Sequence, residues 1–385
     1  MFTGNSRTPG SVLLFVFCAL AASPVALAQT EGRWFDVDFP RDSPVLMVSF
    51  DLGRDTTAHV SGMSIAIDVH ASLMLRNTGK KDISGLSLRV EAQDLTPAGK
   101  GSVTLPSLAV QPGDVFPVRI DMELLRPFNV SNTAGAMVRI SLDCALFSDL
   151  TYYGPDKLSS RRILTVYELE ARRDRRYLAA LLRSGRISEL RQELNFGLPE
   201  LQPQDFGLEL LRENAARSRQ PSMQVHAVSF PSSPVQSLGG AAKVSGNEVR
   251  EPEIEVRNSS QKTVRSIDMG WIVRDERGRD FVAGSMPASL QLAPVQIGKV
   301  IEPGTLRFSR LKGPPLLIED LVTFISDVEF SDGQLWIPSR SDIDEATTDP
   351  TLRRALANSP EQQRLAEVFR RRGIAALVNE LKTVN

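Results

Sequence analysis

Residues 75–83 read LRNTGKKDI, and residues 256–264 read VRNSSQKTV, at a shift of 181. In both stretches an alternating apolar run ends in Arg-Asn and is followed by a lysine and a second apolar position. Asparagine starts a hairpin turn well, because its side chain accepts a backbone hydrogen bond two residues on and it tolerates left-handed geometry. We therefore interpret Asn77 and Asn258 as turn residues rather than ligand contacts, and we predict the same strand–turn–strand unit twice.

Further short matches occur downstream in the same order, with little drift in the shift. Colinear self-similarity of this kind indicates an internal duplication. The duplicated block is a β-unit followed by helices. The matching segments are 112–113 with 303–304, 147–149 with 330–332, and 178–194 with 365–381.

Each β-unit shows alternation with period two, as in residues 83–90 (ISGLSLRV) and 264–273. Such runs place apolar side chains on one face and polar side chains on the other. Short strands separated by Asn-x-Gly, Pro-Gly and Asp-Gly turns predict a mainly β protein with helical appendages. We expect two antiparallel Ig-like β-sandwiches, at 34–155 and 222–338, each followed by amphipathic α-helices and neither carrying an inter-sheet disulfide.

The segments after each sandwich change to helical period. Ser359, Pro360 and Gln362 provide an N-cap hydroxyl, a proline at the first helical position and a glutamine three after the cap. We predict a helical segment and linker at 161–220, interrupted near Gly185, and a C-terminal helical segment at 341–385, interrupted near Gly373. Residues 196–221 are expected to contain a further short helix and to bridge the two units.

One position breaks the match between the copies. A shift of 183 places Cys144 opposite Asp327, so that an apolar residue corresponds to a charged one. A one-residue bulge in either copy would restore the match. At the end of each β-unit, Tyr153 and Trp336 occupy equivalent places and are predicted as core or lid aromatics.

The first 28 residues have the features of a secretory signal. An apolar run at 11–22 (SVLLFVFCALAA) is followed by Ala26-Leu27-Ala28, whose small residues suit a signal peptidase. We expect cleavage after Ala28 and a secreted or periplasmic protein with no remaining transmembrane segment. The mature chain then keeps Cys144 alone, which we expect to be a buried and inert thiol in a strand.

Composition argues against several classes of chemistry. The net charge is −1, with 45 basic and 46 acidic side chains, so nucleic-acid binding is not expected. The chain has three histidines, none at ligand spacing, and it lacks a nucleophile motif, so we assign no metal, catalytic or cofactor-binding residue. The glycines at 99–101 and 239–240 are expected to lie between strands rather than at a phosphate-binding helix start.

Arginine on the helices is the most distinctive charge feature. These arginines form either a docking face for an acidic partner or a solvated helix face, which is the preferred interpretation. Asn129 and Asn258 also begin N-glycosylation sequons, which matter only in a eukaryotic secretory pathway. The residues assigned to possible partner docking are Arg172, Arg173, Arg175, Arg176, Arg370, Arg371, Arg372, Trp336 and Tyr153.

Residues 75–94 (LRNTGKKDISGLSLRVEAQD), followed by LAVQPG at 108–113, resemble bacterial exported adhesion-type β-sandwich domains. The resemblance covers about a fifth of the chain and consists of turn chemistry. In the second copy Ser260 replaces Gly79. The resemblance implies a non-catalytic extracytoplasmic module, with no functional residues to transfer.

These observations favour an exported, non-catalytic binding or scaffold protein of the periplasm or cell surface. Its tandem sandwiches would contact a protein or glycan partner of the envelope, with avidity from two copies. One alternative is an extracytoplasmic hydrolase with a cleft between the two sandwiches. Another is a structural envelope protein that forms a homodimer through its helices.

Overall fold

A computed structural model describes residues 35–93, 97–127, 137–195, 206–211, 222–302, 304–310 and 316–382. Over these residues the protein is mainly β, with several sheets and a few helices. The predicted signal at 1–28 and the sequon at Asn129 lie outside the described residues.

The first β-unit contains two sheets. Strands β1, β8, β5 and β6 lie side by side in that order, with β9 paired to β8. In the other sheet β7 occupies one edge of the long strand β4, while β2 and β3 share the opposite edge. The strands are β1 (Phe35–Asp38), β2 (Val45–Leu52), β3 (Thr57–Ser61), β4 (Ser64–Asn77), β5 (Ile83–Glu91), β6 (Lys100–Leu105), β7 (Val115–Pro127), β8 (Val138–Phe147) and β9 (Tyr152–Tyr153).

Side chains from both of these sheets meet in one hydrophobic core. Leu73 of β4 and Ile120 of β7 are fully buried in it together with Leu88 of β5 and Ile140 of β8. The alternation in β4 and β7 produces this arrangement, since every second side chain points to the partner sheet.

The second β-unit has two layers of strands like the first, but its strands form one continuous sheet. β11 pairs with β18 in parallel and with β12 in antiparallel orientation, so it joins the two layers. The strands are β10 (Phe206–Leu211), β11 (Ser222–Ala227), β12 (Val235–Ser245), β13 (Glu248–Asn258), β14 (Val264–Asp275), β15 (Asp280–Ala288), β16 (Ile297–Ile301), β17 (Thr305–Arg310), β18 (Ile318–Phe330) and β19 (Leu335–Trp336).

Most of 196–221, where a short helix is predicted, lies outside the described residues, and the described part, Phe206–Leu211, is not helical. These residues form β10, which is antiparallel to β17. Leu208 and Leu210 pack against the core of the second unit, and their backbone pairs with the edge of β17. Tertiary packing and the satisfaction of an open sheet edge override the local helical pattern.

The turn prediction for the two asparagines is confirmed. Asn77 accepts a hydrogen bond from the amide of Gly79 at 3.0 Å, and Asn258 accepts one from the amide of Ser260 at 3.0 Å. The Asn77 amide group also donates to the carbonyl of Lys81 at 2.9 Å and to a carbonyl 33 residues downstream at 3.0 Å. Asn258 makes the equivalent two bonds at 2.8 and 3.1 Å, and both side chains are fully buried.

A lysine that follows each turn makes the same contacts in both units. Lys81 Nζ lies 2.6 Å from Asp149 Oδ2, and Lys262 Nζ lies 2.6 Å from Asp332 Oδ2. Each ammonium group also lies 5.6 Å from the ring centre of the phenylalanine that ends β8 or β18. The hydrogen-bond and ion-pair pattern of the first unit thus recurs in the second at shifts of 181 to 183.

The helices follow the strands of each unit. Ser359 Oγ accepts a hydrogen bond from the amide of Gln362 at 3.1 Å, which confirms the predicted helix start. Gly185, with φ +71°, separates α1 from α2, and Gly373, with φ +77°, kinks α5. The helices are α1 (Ser160–Arg183), α2 (Ile187–Asn195), α3 (Arg340–Ala346), α4 (Pro350–Ala357) and α5 (Pro360–Lys382), and a short 3₁₀ turn occurs at Pro97–Gly99.

The two helical segments pack against each other inside the chain. Their contact is a leucine core in which Leu178, Leu190 and Leu194 of α1 and α2 meet Leu365 and Leu377 of α5. These residues correspond at a shift of 187, so the same apolar stripe is used from both copies. The apolar faces that could have supported a helix-mediated homodimer are therefore buried within the chain in this region.

Candidate functional site

Helix α1 lies between the two β-units and contacts both. Leu164 packs on Cys144 and Leu146 at the outer face of the first unit. Because α1 covers this face, nearly every residue of β5 is buried, including Ser87, which the period-two pattern had predicted on a polar face. The start of α1 is held there by Ser160 Oγ, which donates to Ser87 at 2.9 Å.

The other side of α1 reaches the second β-unit through two arginines. Arg162 Nη1 donates to Asp268 Oδ1 at 2.6 Å, and Arg162 Nη2 donates to Asp327. Arg161 Nη2 donates to Glu329 Oε1 at 2.7 Å. The side chains of Asp327 and Glu329 are only 5% exposed. We call this cluster of Arg161, Arg162, Asp268, Asp327 and Glu329 the seam.

The acidic residues of the seam stand where the first unit has uncharged residues. Ser87 pairs with Cys144 across β5 and β8, and Asp268 pairs with Asp327 across β14 and β18. Leu146 and Glu329 correspond in the same way, two residues further along each strand. This patch of the sheet is thus apolar in the first unit, where α1 contacts it through Leu164. The equivalent patch is acidic in the second unit, where α1 contacts it through arginines.

The prediction that a bulge in one copy would repair this mismatch is wrong. Both copies have a bulge at the same place, at Asp143 in β8 and at Ser326 in β18. The correspondence of Cys144 with Asp327 is therefore real. The mismatch in the sequence was the one available signal for the seam, because a charged residue stood at a position that is apolar in the first copy.

The predicted docking arginines of α1 are largely engaged inside the chain. Arg173 is buried, forms an ion pair with Asp174 at 2.9 Å, and donates to the carbonyls of Pro338 at 3.2 Å and Ala357 at 3.0 Å. It joins α1 to the segments around α3 and α4. Arg173 is thus unavailable to an external partner, because its donors are used to cap backbone carbonyls.

Two neighbouring arginines also have intramolecular partners. Arg172 Nε lies 2.9 Å from Glu168 Oε1, and Arg175 Nε lies 3.0 Å from Glu361 Oε1 on α5. Arg176 is exposed, and its Nε donates to the carbonyl of Arg172 at 3.1 Å. Of the α1 arginines predicted for docking, Arg176 is the most accessible.

The C-terminal arginines lie on an exposed part of α5. Arg370 and Arg371 both pair with Glu367, and Arg372 is exposed beside them. The structure places them on a different helix from Arg176, and it does not bring the predicted docking arginines into one cluster.

The two predicted aromatics occupy equivalent short strands but have different partners. The Tyr153 hydroxyl donates to Asp42 Oδ1 at 2.7 Å. The Trp336 Nε1 group donates to Ser232 Oγ at 3.3 Å, and its indole lies 6.4 Å from the ring of Phe230. Both side chains are half-buried and pack against the core of their own unit. Their place in the core is sufficient to explain an aromatic residue at each position.

An open groove of about 540 Å³ lies on the outer face of the second unit. Lys243 Nζ contacts Glu251 at 2.6 Å and Lys299 Nζ contacts Glu253 at 2.5 Å, which places acids and lysines in alternation across the strands. Its lining comprises Ser222, Gln224, Leu238, Gly239, Gly240, Ala241, Ala242, Lys243, Glu251, Glu253, Glu255 and Lys299.

The glycines at 239–240 form part of this groove. The sequence predicted that they lie between strands, and this prediction is wrong. They lie inside β12, where register shifts on both sides bend the strand. A Cβ on Gly240 would lie 1.9 Å from the carbonyl oxygen of Glu253, so only glycine allows this close approach of β12 to β13. Sequence reasoning missed the groove because its residues are spread over four strands.

The remaining candidate groups are the cysteine at 144 and the sequon asparagine at 258. Cys144 is fully buried, and burial, with smaller contributions from Asp156 and Asp143, raises the pKa of its thiol to about 12. Asn258 is fully buried, so its side chain is inaccessible to glycosylation in the folded protein.

Within the described ranges, no three histidine, cysteine or carboxylate side chains converge as a metal site. In the same part of the chain, no helix combines the length and apolarity needed to cross a membrane.

The sequence matches no protein-family model and no curated protein. Among solved structures, a selenomethionine-labelled beta-glucosidase from Kluyveromyces marxianus is similar over 68% of this chain, at 9% identity and a TM-score of 0.16. The same enzyme in complex with glucose is similar at 10% identity and a TM-score of 0.16. The chain spans 45% of the length of that enzyme, and scores at this level carry no argument about fold or activity.

Proposed function

We propose that this protein is an exported, non-catalytic binding or scaffold protein of the periplasm or cell surface. The leader at 1–28 would be removed after Ala28, and the mature chain would present two Ig-like β-sandwiches at a fixed relative orientation. Antiparallel strands around one core in each unit, with β1 and β11 parallel to β8 and β18, support the Ig-like assignment.

The groove of the second unit is the observation that carries this proposal. It is open, each of its two lysines forms a salt bridge with a glutamate, and Leu238 adds an apolar contact. Such a surface fits an extended polypeptide that exchanges these ion pairs for its own lysines and acids. The lining contains no aromatic ring on which a sugar could stack, so a protein partner is favoured over a glycan.

The two alternative functions have less support. A hydrolase cleft between the sandwiches would require open space there, whereas α1 occupies that position and contacts both units. A homodimer through the helices would require free apolar helix faces, whereas Leu178 and Leu365 share one intramolecular core.

The duplication provides a matched experiment. Glu253→Lys with Glu255→Lys reverses the charge of the groove, and Ser72→Lys with Met74→Lys introduces the same residues at the equivalent positions of β4. The mature protein and both variants are immobilised, exposed to an envelope extract, cross-linked and analysed for captured proteins and glycans.

The proposal predicts a partner whose recovery falls at least tenfold with the groove variant and is unchanged with the β4 variant. Equal recovery by all three proteins would contradict a groove-dependent function. Capture of a glycan with the same dependence would retain the binding role and replace the partner class. Turnover of a captured molecule by the wild type would support the hydrolase instead.

A further inference from the structure

The seam contains more carboxylates than guanidinium groups. Asp268, Asp327 and Glu329 face Arg161 and Arg162. The side chains of Asp327 and Glu329 are 5% exposed and that of Arg162 is 11% exposed. Taking an uncompensated carboxylate out of water is strongly unfavourable. Three acids beside two arginines, with two of the acids buried, therefore cannot all be ionised without a penalty, and one of them is expected to hold a proton.

The surrounding charged groups do not remove this excess. Arg265 on β14 approaches Glu329 at 3.7 Å, but its side chain is 60% exposed and screened by solvent. Asp156, before α1, approaches Arg161 at 3.8 Å and competes for its charge. On α1, Glu170 and Tyr167 face the same region, and Glu170 adds a further negative charge beside Asp327.

Asp327 is the group on which the penalty falls. Burial, then the neighbouring charge of Asp268, raises the pKa of Asp327 to about 7, in spite of its contact with Arg162. Burial, with Asp174 as a further contribution, raises the pKa of Glu170 to about 7 as well. Both groups would change charge close to neutral pH.

The first β-unit shows that the fold does not need an acid at this position. Cys144 and Ser87 occupy the equivalent sites, and α1 packs on them through Leu164. The carboxylates are therefore a feature of the second unit and not of the first, on the face that α1 contacts through arginines. When fully ionised, this cluster destabilises the contact between α1 and the second β-unit. A change in its protonation can therefore regulate that contact.

We propose that the seam is a proton-operated latch, in which uptake of a proton by Asp327 closes the contact between α1 and the second β-unit and its release loosens that contact. At mildly acidic pH two carboxylates face two arginines and the charges balance. Above neutral pH the third carboxylate is ionised, and the contact carries an uncompensated negative charge.

The direction of the pH dependence follows from linkage. The pKa of Asp327 is higher in the closed state than its ordinary value of 3.8, so the closed state binds more protons between these values. The stabilisation is complete below about pH 4 and is lost as the pH rises through about 7. Within this window one proton changes the closing equilibrium by up to about tenfold per pH unit.

Hydrogen–deuterium exchange of the full mature chain tests the latch. Protection of the backbone amides of α1 and β18 is measured at pH 6.0 and 8.5 and corrected for the intrinsic exchange rate. The wild type is expected to lose at least tenfold protection at the higher pH in these two elements. Asp327→Asn should lose most of this difference, leaving only the part that Glu170 contributes.

Three further variants distinguish the latch from a general effect. Asp332→Asn removes an exposed acid of the same unit and should keep the wild-type pH dependence. Asp327→Cys introduces the residue of the first unit and provides a second test should the asparagine variant fold poorly. Glu170→Gln should keep a dependence if Asp327 is the latch and should abolish it if Glu170 alone binds the proton.

Protection of α1 that is independent of pH in the wild type would overturn the proposal. So would a full pH dependence in both Asp327 variants, or a dependence that disappears with Glu170→Gln alone.

Discussion

Replacement of Arg162 by alanine should destabilise the protein more than any exposed arginine replacement. The change removes the contacts to Asp268 and Asp327 and leaves Asp327 and Glu329, each 5% exposed, with fewer compensating charges. Removing one partner of a buried ion pair typically lowers the free energy of unfolding by about 3–5 kcal/mol. Because Asp327 can take up a proton, we expect a value near the lower end at pH 6, about 3 kcal/mol.

The assay is urea unfolding followed by tryptophan fluorescence, to which Trp271, buried in the second unit, and Trp336 contribute. With an m-value of about 3 kcal/mol/M, the midpoint should fall by roughly 1 M. Arg176→Ala is the matched control, since it removes an exposed arginine from the same helix, and it should change the free energy by less than about 0.5 kcal/mol.

A double-mutant cycle then isolates the pair. Arg162→Ala and Asp327→Ala together should be less destabilising than the sum of the two single changes, by at least about 1.5 kcal/mol, because each single change leaves the other residue without its hydrogen-bond partner and the double change does not. Single effects below about 1 kcal/mol that add without coupling would refute the assignment of the seam as a buried, energetically important contact.

Three other changes have clear expectations. Asn77→Ala and Asn258→Ala each remove at least two hydrogen bonds from a buried side chain to backbone carbonyls, so each should lower the free energy of unfolding by about 1–3 kcal/mol in urea titrations, and no loss in either variant would argue against a stabilising turn. Gly270→Ala would place a Cβ 2.2 Å from the ring of Phe324 and should lower the melting temperature through about 1–3 kcal/mol of overpacking, with partial recovery when Phe324→Leu is added. Cys144 should react with a thiol reagent only after unfolding, since its thiol is buried and the pKa is about 12; labelling of the native protein would contradict its position under α1.

The local elements could be predicted because their causes are local. The turns at Asn77 and Asn258 depend on one side chain bonding to nearby backbone, and the helix start at Ser359 depends on a cap within one turn. Period-two alternation likewise identifies strands such as β4. These features require no knowledge of the distant chain.

The features that the sequence did not predict depend on contacts between distant segments. Arg173 was a candidate for docking because nothing in its neighbourhood shows that Pro338 and Ala357 supply acceptors. Phe206–Leu211 forms a strand because β17 offers an edge about 100 residues away. The seam is a third example, since its arginines and acids are separated by 106 to 168 residues.

The most direct test of the account concerns the fixed orientation of the two β-units. Spin labels at Lys80→Cys and Gln261→Cys, equivalent exposed positions on the two units, report the distance between them by electron–electron double resonance, while buried Cys144 stays unlabelled. At pH 6 the wild-type background should give one narrow distance distribution, and Arg162→Ala should broaden it. A broad distribution in the wild type, unchanged by Arg162→Ala, would show that α1 does not hold the units together.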